Sequence, residues 1–248
     1  GHSGFFVYNI VSNKLEKLLD GKFSGLVSSK DRIIASHVKE EGLRLCVVNP
    51  DIRPRKVECL IKKEFELAGF VAVMDGSDVL VSCFDGYLIF NSKNSSFKRI
   101  RQKTGVESFQ TSRIMKYQGG RLIVTTSGSL VFEDIEKDKW TFIDVETGLP
   151  DFALTSAVTD GKNLYFGSDQ GIRIIGPERF ELMKSMADNK GGEGSAANEK
   201  SILTGGAKAS SPWRRFTVRD GLLSDKVFSL TTVSDEVWVG TDFNGLSR

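Results

Sequence analysis

Short runs of apolar and β-branched residues alternate along the chain with clusters of Gly, Asn, Asp and Ser. The stretch from 113 to 145 is the clearest. Residues 113–117 read as a strand, and Gln118-Gly119-Gly120 as a turn. Residues 121–126 read as the next strand, followed by Ser127-Gly128. Residues 129–135 and 139–145 read as two more strands, separated by Glu136-Lys137-Asp138. Short β-branched and aromatic runs broken by turn formers are the hairpin pattern. No stretch of comparable length carries helical periodicity, so the chain is predicted to be all-β.

The pattern repeats about every 43 residues. Trp213 and Trp140 are each followed, eight residues on, by Gly-Leu: Gly221-Leu222 and Gly148-Leu149. Further along, Val237-Trp238-Val239-Gly240-Thr241-Asp242 overlays Leu164-Tyr165-Phe166-Gly167-Ser168-Asp169. Both pairs lie 73 residues apart, so the match has no gap. A third copy lies 43 residues upstream of the Trp140 unit. There Phe97 takes the Trp position, Gly105 the Gly position, and Leu122-Ile123-Val124-Thr125 the second strand. Looser copies carry Val79-Leu80-Val81-Ser82-Cys83 and Arg32-Ile33-Ile34-Ala35-Ser36. Ile34, Leu80, Leu122, Tyr165 and Trp238 therefore mark five second strands.

A four-stranded sheet has two apolar faces and cannot bury both alone. Repeats of 40–50 residues of this kind solve the problem by packing radially as propeller blades. The expectation is one β-propeller domain, residues 1–248, of about five four-stranded blades. The last unit supplies strands at 227–233 and 236–241 and begins a third at Asn244-Gly245-Leu246. Residues 5–10 and 14–19 look like the third and fourth strands of a unit. One blade is thus expected to be completed by N- and C-terminal strands, which removes an exposed edge.

The interval from Tyr165 to Trp238 is too long by about 30 residues. The excess is assigned to residues 186–211, which are rich in Gly, Ser, Ala, Asn and Lys. That composition predicts a flexible low-complexity insertion between strands three and four of the fourth blade.

The phrase Trp213-x-x-Phe216-x-x-x-x-Gly221-Leu222-x-Ser224, then Val237-Trp238-Val239-Gly240-Thr241 and Gly245-Leu246, resembles the two-component-regulator propeller repeat. The resemblance is clearest at 213–246 and moderate at 140–172, where Tyr165 replaces the second Trp and Ser168 the Thr. Elsewhere only the spacing matches. It implies a β-propeller that serves as an extracytoplasmic sensor region of a bacterial hybrid receptor, some of which detect oligosaccharides. Family arrays are longer and are followed by membrane and kinase segments, which this chain does not contain. The motif residues themselves read as structural. An aromatic on the second strand packs between blades. Gly167 and Gly240 permit close approach or a bulge. Gly148 and Gly221 suit a turn with positive φ.

Composition then narrows the function. Arg and Lys number 34 against 32 Asp and Glu, so nothing suggests nucleic-acid binding. No apolar run reaches the roughly 20 residues of a membrane span. The three cysteines, Cys46, Cys59 and Cys83, are an odd count without zinc-site spacing and read as small buried hydrophobes. The compartment is periplasmic or extracellular if the resemblance holds, and the residues alone equally allow the cytoplasm. Only His2 and His37 are available, so no Ser-His-Asp set is proposed. No phosphate-loop motif and no cofactor or metal signature is present.

Asp85, Asp169 and Asp242 each follow a second strand, and Phe243 adjoins the last. They are the candidate binding residues, in equivalent turns at one channel rim. Asp also suits turns for its own sake, because it bonds its own backbone. The expected role is a non-catalytic binding module for a protein or carbohydrate, as ligand recognition or scaffold. The alternative is a carboxylate-based glycoside hydrolase or lyase acting in the channel.

Overall fold

We describe the protein from a computed structural model. It describes residues 4–9, 11–21, 25–28, 33–39, 42–49, 57–62, 68–75, 78–83, 86–91, 93–101, 111–125, 127–149, 151, 154–189, 213–242 and 245–247. Two compact units contain them. One comprises residues 1–102 and 108–114, the other 103–107 and 115–248. Asp85 and Phe243 lie outside the described residues, as do 190–211 of the expected insertion.

The first unit holds three antiparallel sheets. β1 (Gly4–Asn9) pairs with β2 (Lys14–Asp20). A four-stranded sheet follows in chain order: β3 (Gly25–Ser28), β4 (Ile33–Lys39), β5 (Gly42–Val48) and β6 (Val57–Lys62). The next is β7 (Ala68–Asp75), β8 (Asp78–Cys83), β9 (Gly86–Asn91) and β10 (Ser96–Arg101). Phe5 of β1 is buried with Ala35, Cys46 and Val48, so the β1–β2 hairpin packs on the β3–β6 sheet.

The cysteines correct the sequence reading. Cys46 and Cys59 stand directly opposite each other on β5 and β6, with Cα atoms 4.1 Å apart, and form a disulfide. The separation is that of the closer of the two antiparallel pair types, about 4.5 Å, where side chains meet most readily. The odd count concealed a pair that strand register creates.

Three more sheets follow. The first is β11 (Thr111–Tyr117), β12 (Gly120–Thr125), β13 (Leu130–Asp134) and β14 (Lys139–Ile143). The first residues of β11 belong to the first unit. The second is β15 (Leu154–Thr159), β16 (Leu164–Ser168), β17 (Gly171–Ile175) and β18 (Arg214–Phe216). The last has three strands, β19 (Val227–Val233), β20 (Glu236–Thr241) and β21 (Gly245–Ser247). The five predicted second-strand markers fall on β4, β8, β12, β16 and β20. Each is the second strand of its own sheet.

The expectation for the chain ends is that residues 5–10 and 14–19 complete the sheet of β19 and β20. Among the described ladders β1 pairs with β2, while β21 takes the outer edge of β20 through Val239–Ser247, Gly240–Leu246 and Thr241–Gly245.

The extra residues fall between β17 and β18, as the spacing predicts, but they do not begin as featureless chain. Pro177–Asn189 form helix α1. Proline at the first helical position lacks an N–H that would be unpaired there anyway. Phe180, Met183 and Met186, three residues apart, face one side and are buried. Phe180 meets Tyr117 and Phe132 edge-on, with ring centroids 4.9 and 5.5 Å apart. At the far end of α1, Asp188 accepts from Thr141 Oγ1 at 2.9 Å and pairs with Lys139 at 2.7 Å. No helix among the described residues is long and apolar enough to cross a membrane.

Two apolar seams organise the second unit. One joins the β11–β14 and β15–β18 sheets through Leu122, Phe132, Ile143, Leu164 and Phe166, with Phe180 and Trp213. The other joins the β15–β18 and β19–β21 sheets through Ile172, Val227, Leu230 and Val239, with Tyr165 packed against them. Tyr165 therefore lies between sheets, as its motif position predicts.

Candidate functional site

The repeat motif sets the geometry of the turns that carry the candidate acids. The residue before each turn is a hydroxyl, and it closes the turn. Thr125 Oγ1 donates to the Ser129 carbonyl at 3.0 Å, Ser168 Oγ to the Gly171 carbonyl at 3.0 Å, and Thr241 Oγ1 to the Gly245 carbonyl at 3.1 Å. A buried or half-buried hydroxyl needs such a partner. This accounts for the Ser or Thr of the motif. It also bears on Asp169 and Asp242, which come next. The turn is closed without them: among the described hydrogen bonds neither carboxylate bonds its own backbone.

One connection holds both turns. Between β18 and β19, Val218–Asp220 form a short 3-10 helix. Beyond it, the Asp225 carbonyl accepts from Gly171 N at 2.7 Å, and the Lys226 carbonyl accepts from Asp242 N at 3.0 Å. Consecutive carbonyls thus anchor the β16–β17 turn and the β20–β21 turn, at the same end of neighbouring sheets. The Asp225 carboxylate accepts from Val218 N at 2.7 Å and ties the connection to itself. Asp169 is exposed at its turn. Asp242 is more enclosed, with Lys226 Nζ at 3.6 Å from its carboxylate.

The connection before β15 has the same construction. In Val145–Thr147 the Asp144 side chain accepts from Thr147 N, and the Thr147 side chain answers to Asp144 N. In Val218–Asp220 the partners are swapped, Thr217 capping and Asp220 answering. Reciprocal capping satisfies two backbone donors that a helix start leaves open. Gly148 and Gly221 then follow with φ of 102° and 108°, the left-handed conformation that the sequence predicts. Asp144-x-x-Thr147 and Thr217-x-x-Asp220 are the sequence signals of this shared construction. The first of these loops exposes Val145, and the second exposes Val218 and Leu223. Phe228 is exposed too, at the bulge that begins β19, and no sequence signal marked it.

No family model matches the chain, and no curated protein matches it. Solved structures do. Two structures of the extracellular domain of BT4673 from B. thetaiotaomicron, one described as a putative one component system and the other as a putative hybrid two component system, align with TM-scores of 0.64 and 0.62. Identity is 14% and 13%. All of this chain is covered, against 30% of each of those chains. The AfRom2 CNH domain aligns with a TM-score of 0.54 at 10% identity, over 96% of this chain and 67% of its own. The likeness is one of fold: an all-β chain of successive antiparallel sheets. This chain spans under a third of the length of the BT4673 domains.

The opposite end of the β15–β18 sheet shows an acid that is wholly engaged. Asp160 lies in the β15–β16 hairpin. Burial pushes its carboxyl up, but donation from Asn163 N, Tyr165 Oη, Lys162 N and the Asn163 amide outweighs this and holds it at about 2. The same bond, after burial, raises the Tyr165 phenol. Among the described residues no group of three His, Cys, Asp or Glu side chains could hold a metal ion. His37 lies on β4 opposite Arg44.

Proposed function

We propose that the chain is a β-propeller whose five second strands mark five blades, and that it acts as a non-catalytic recognition module of a signalling protein. Its ligand is a protein or an oligosaccharide met outside the cytoplasm. One observation carries the reading. Asp169 and Asp242 are held at one end of neighbouring sheets, on turns closed by other residues, with the Asp169 carboxylate exposed and the Asp242 carboxylate beside Lys226. Loops on a rigid scaffold are where such folds carry binding. Asp85 and Phe243 belong to the same rim by position in the repeat.

Two further observations support the signalling and compartment parts. The BT4673 structures are extracellular domains of systems described as one- and two-component. The Cys46–Cys59 disulfide suits an oxidising compartment, since cytosolic thiols are kept reduced. The whole chain is one domain in this reading, with residues 186–211 an insertion in the fourth blade that begins on the last turn of α1.

The test is a glycan array and a pull-down with the wild type, beside the Asp169→Asn/Asp242→Asn double variant. The expected result is a saturable ligand that the variant loses while melting at an unchanged temperature. Retention of that ligand by the double variant would rule out the rim as its site.

A further inference from the structure

Two cations face each other on the β15–β18 sheet. Arg173 of β17 and Arg215 of β18 stand directly opposite in the ladder. Side chains alternate between faces along a strand. Ile172 and Ile174 turn to the seam with the β19–β21 sheet. Phe166, opposite Arg173, and Trp213, two residues before Arg215, lie in the other seam. Both arginines therefore share the face of Phe166 and Trp213. Directly opposed Cβ atoms are about 5 Å apart, and like charges there repel. Burial, and then the Arg215 charge, pushes the Arg173 guanidinium below its ordinary value.

The repeat fills this ladder position differently elsewhere. The equivalent pairs are Cys46–Cys59, Leu88–Arg99 and Val131–Phe142. Their third-strand members, Cys46, Leu88 and Val131, are wholly buried, and the first pair is a disulfide. In the β15–β18 sheet a guanidinium replaces these side chains. A cation drawn in from solvent needs an opposite charge. Arg121, also half-buried, has one: it faces the Glu133 carboxylate across its own ladder, at 3.3 Å. Arg173 faces a second cation.

Arg215 is held at one point only. It is exposed, and its Nε donates at 3.0 Å to the carbonyl of Gln170, the residue after Asp169. That bond uses one of the five N–H donors of a guanidinium. Among the described residues no carboxylate takes the other four. The pair therefore sits beside the β16–β17 turn, with one guanidinium fixed through its Nε. Arg214 belongs to the opposite face. It stands across from Ile174, with its guanidinium 5.0 Å from the Phe216 ring centroid.

We propose that Arg173 and Arg215 bind an oxyanion group, the carboxylate or sulfate of a ligand, beside the β16–β17 turn. Guanidinium N–H groups suit such a group, because charge-assisted bonds to it can form in parallel pairs. One bound oxyanion also turns a repelling pair into two attractive contacts. The site depends on neither the Asp169 nor the Asp242 carboxylate, so it and the rim can each fail alone.

The probes are sodium sulfate in one arm and sodium acetate in the other, each titrated into the full chain at an ionic strength held constant with sodium chloride. The arginine Nε–H resonances are followed by NMR. Those of Arg173 and Arg215 should move together and saturate with one dissociation constant in at least one arm, and the arm that saturates names the group. Arg215→Gln, an exposed substitution, should weaken that binding about tenfold, as the loss of a charged hydrogen-bond partner does. Arg214→Gln removes an equal charge from the other face and should leave the constant unchanged. Asp169→Asn/Asp242→Asn should keep the response, which separates this site from the rim. Absence of a shift in both arms overturns the proposal. So does a shift that grows linearly with concentration, the mark of an adventitious ion only. Equal weakening by Arg214→Gln and Arg215→Gln overturns it as well, because general charge would then account for the response.

Discussion

Individual side chains set the sheet geometry at two glycines. Ser156 stands opposite Gly167, and Ser229 opposite Gly240, each beside a register shift in the inner strand. A Cβ on Gly167 would lie 2.5 Å from Ser156 Oγ and 2.6 Å from Val227 Cγ1. The repeat therefore requires glycine for close approach and a bulge together. Gly167→Ala should destabilise the protein by about 1–3 kcal/mol, as overpacking does, measured by urea unfolding. A change within a few tenths of a kcal/mol would mean that the strands part freely there. Asp160 makes a second residue-scale prediction. Its folded carboxyl sits at about 2, against an ordinary value near 4. A depressed acid stabilises above its unfolded value, and the stabilisation is lost as pH falls toward 2. Discounted for its exposure, the contribution is about 1 kcal/mol. Asp160→Asn should therefore cost that much at pH 7 and flatten the stability profile between pH 4 and 2. An unchanged profile would remove the hydrogen-bond account.

At the scale of elements, the strands were legible and the helix was not. Alternation and turn residues mark 227–233 and 236–241 at the bounds that β19 and β20 have. Helix α1 is short, and its apolar stripe is only three residues deep amid charge, so it hides beside a low-complexity tract. The disulfide was invisible for another reason: strand register, not spacing, brings Cys46 to Cys59. Both elements yield predictions. Trp213→Ala should cost about 3–5 kcal/mol, because its ring is buried in the seam with Phe180 and Met183. Replacing residues 190–211 with a short Gly-Ser linker should leave the melting temperature almost unchanged, since the described seam contacts of α1 end at Ala187. Equal losses from both changes would contradict the assignment of seam and insertion. The disulfide closes a loop with a sequence separation of 13 residues. Chain entropy then assigns it on the order of 3 kcal/mol. Cys46→Ser/Cys59→Ser should lose that much in denaturant titration, and an equally stable variant would show that the bond constrains little.

At the scale of the whole molecule, the repeat explains packing more fully than recognition. Trp213, Tyr165 and the paired glycines all serve seams, bulges or connections. The sequence marked them because packing positions recur in the two clearest copies, 140–172 and 213–246. Of the four rim residues named from sequence, two can be placed, and the structure holds them on adjacent, clamped turns. What they meet was not legible, because a ligand selects a combination of different turns, and combinations do not repeat. The central claim is recognition without chemistry. Its most direct test is to incubate the wild-type protein with the ligand it captures and to follow that ligand by mass spectrometry. The account predicts saturable binding with the ligand's mass unchanged, and loss of binding in Asp169→Asn/Asp242→Asn. Conversion of the ligand to a cleaved product, abolished by a single Asp substitution, would contradict it.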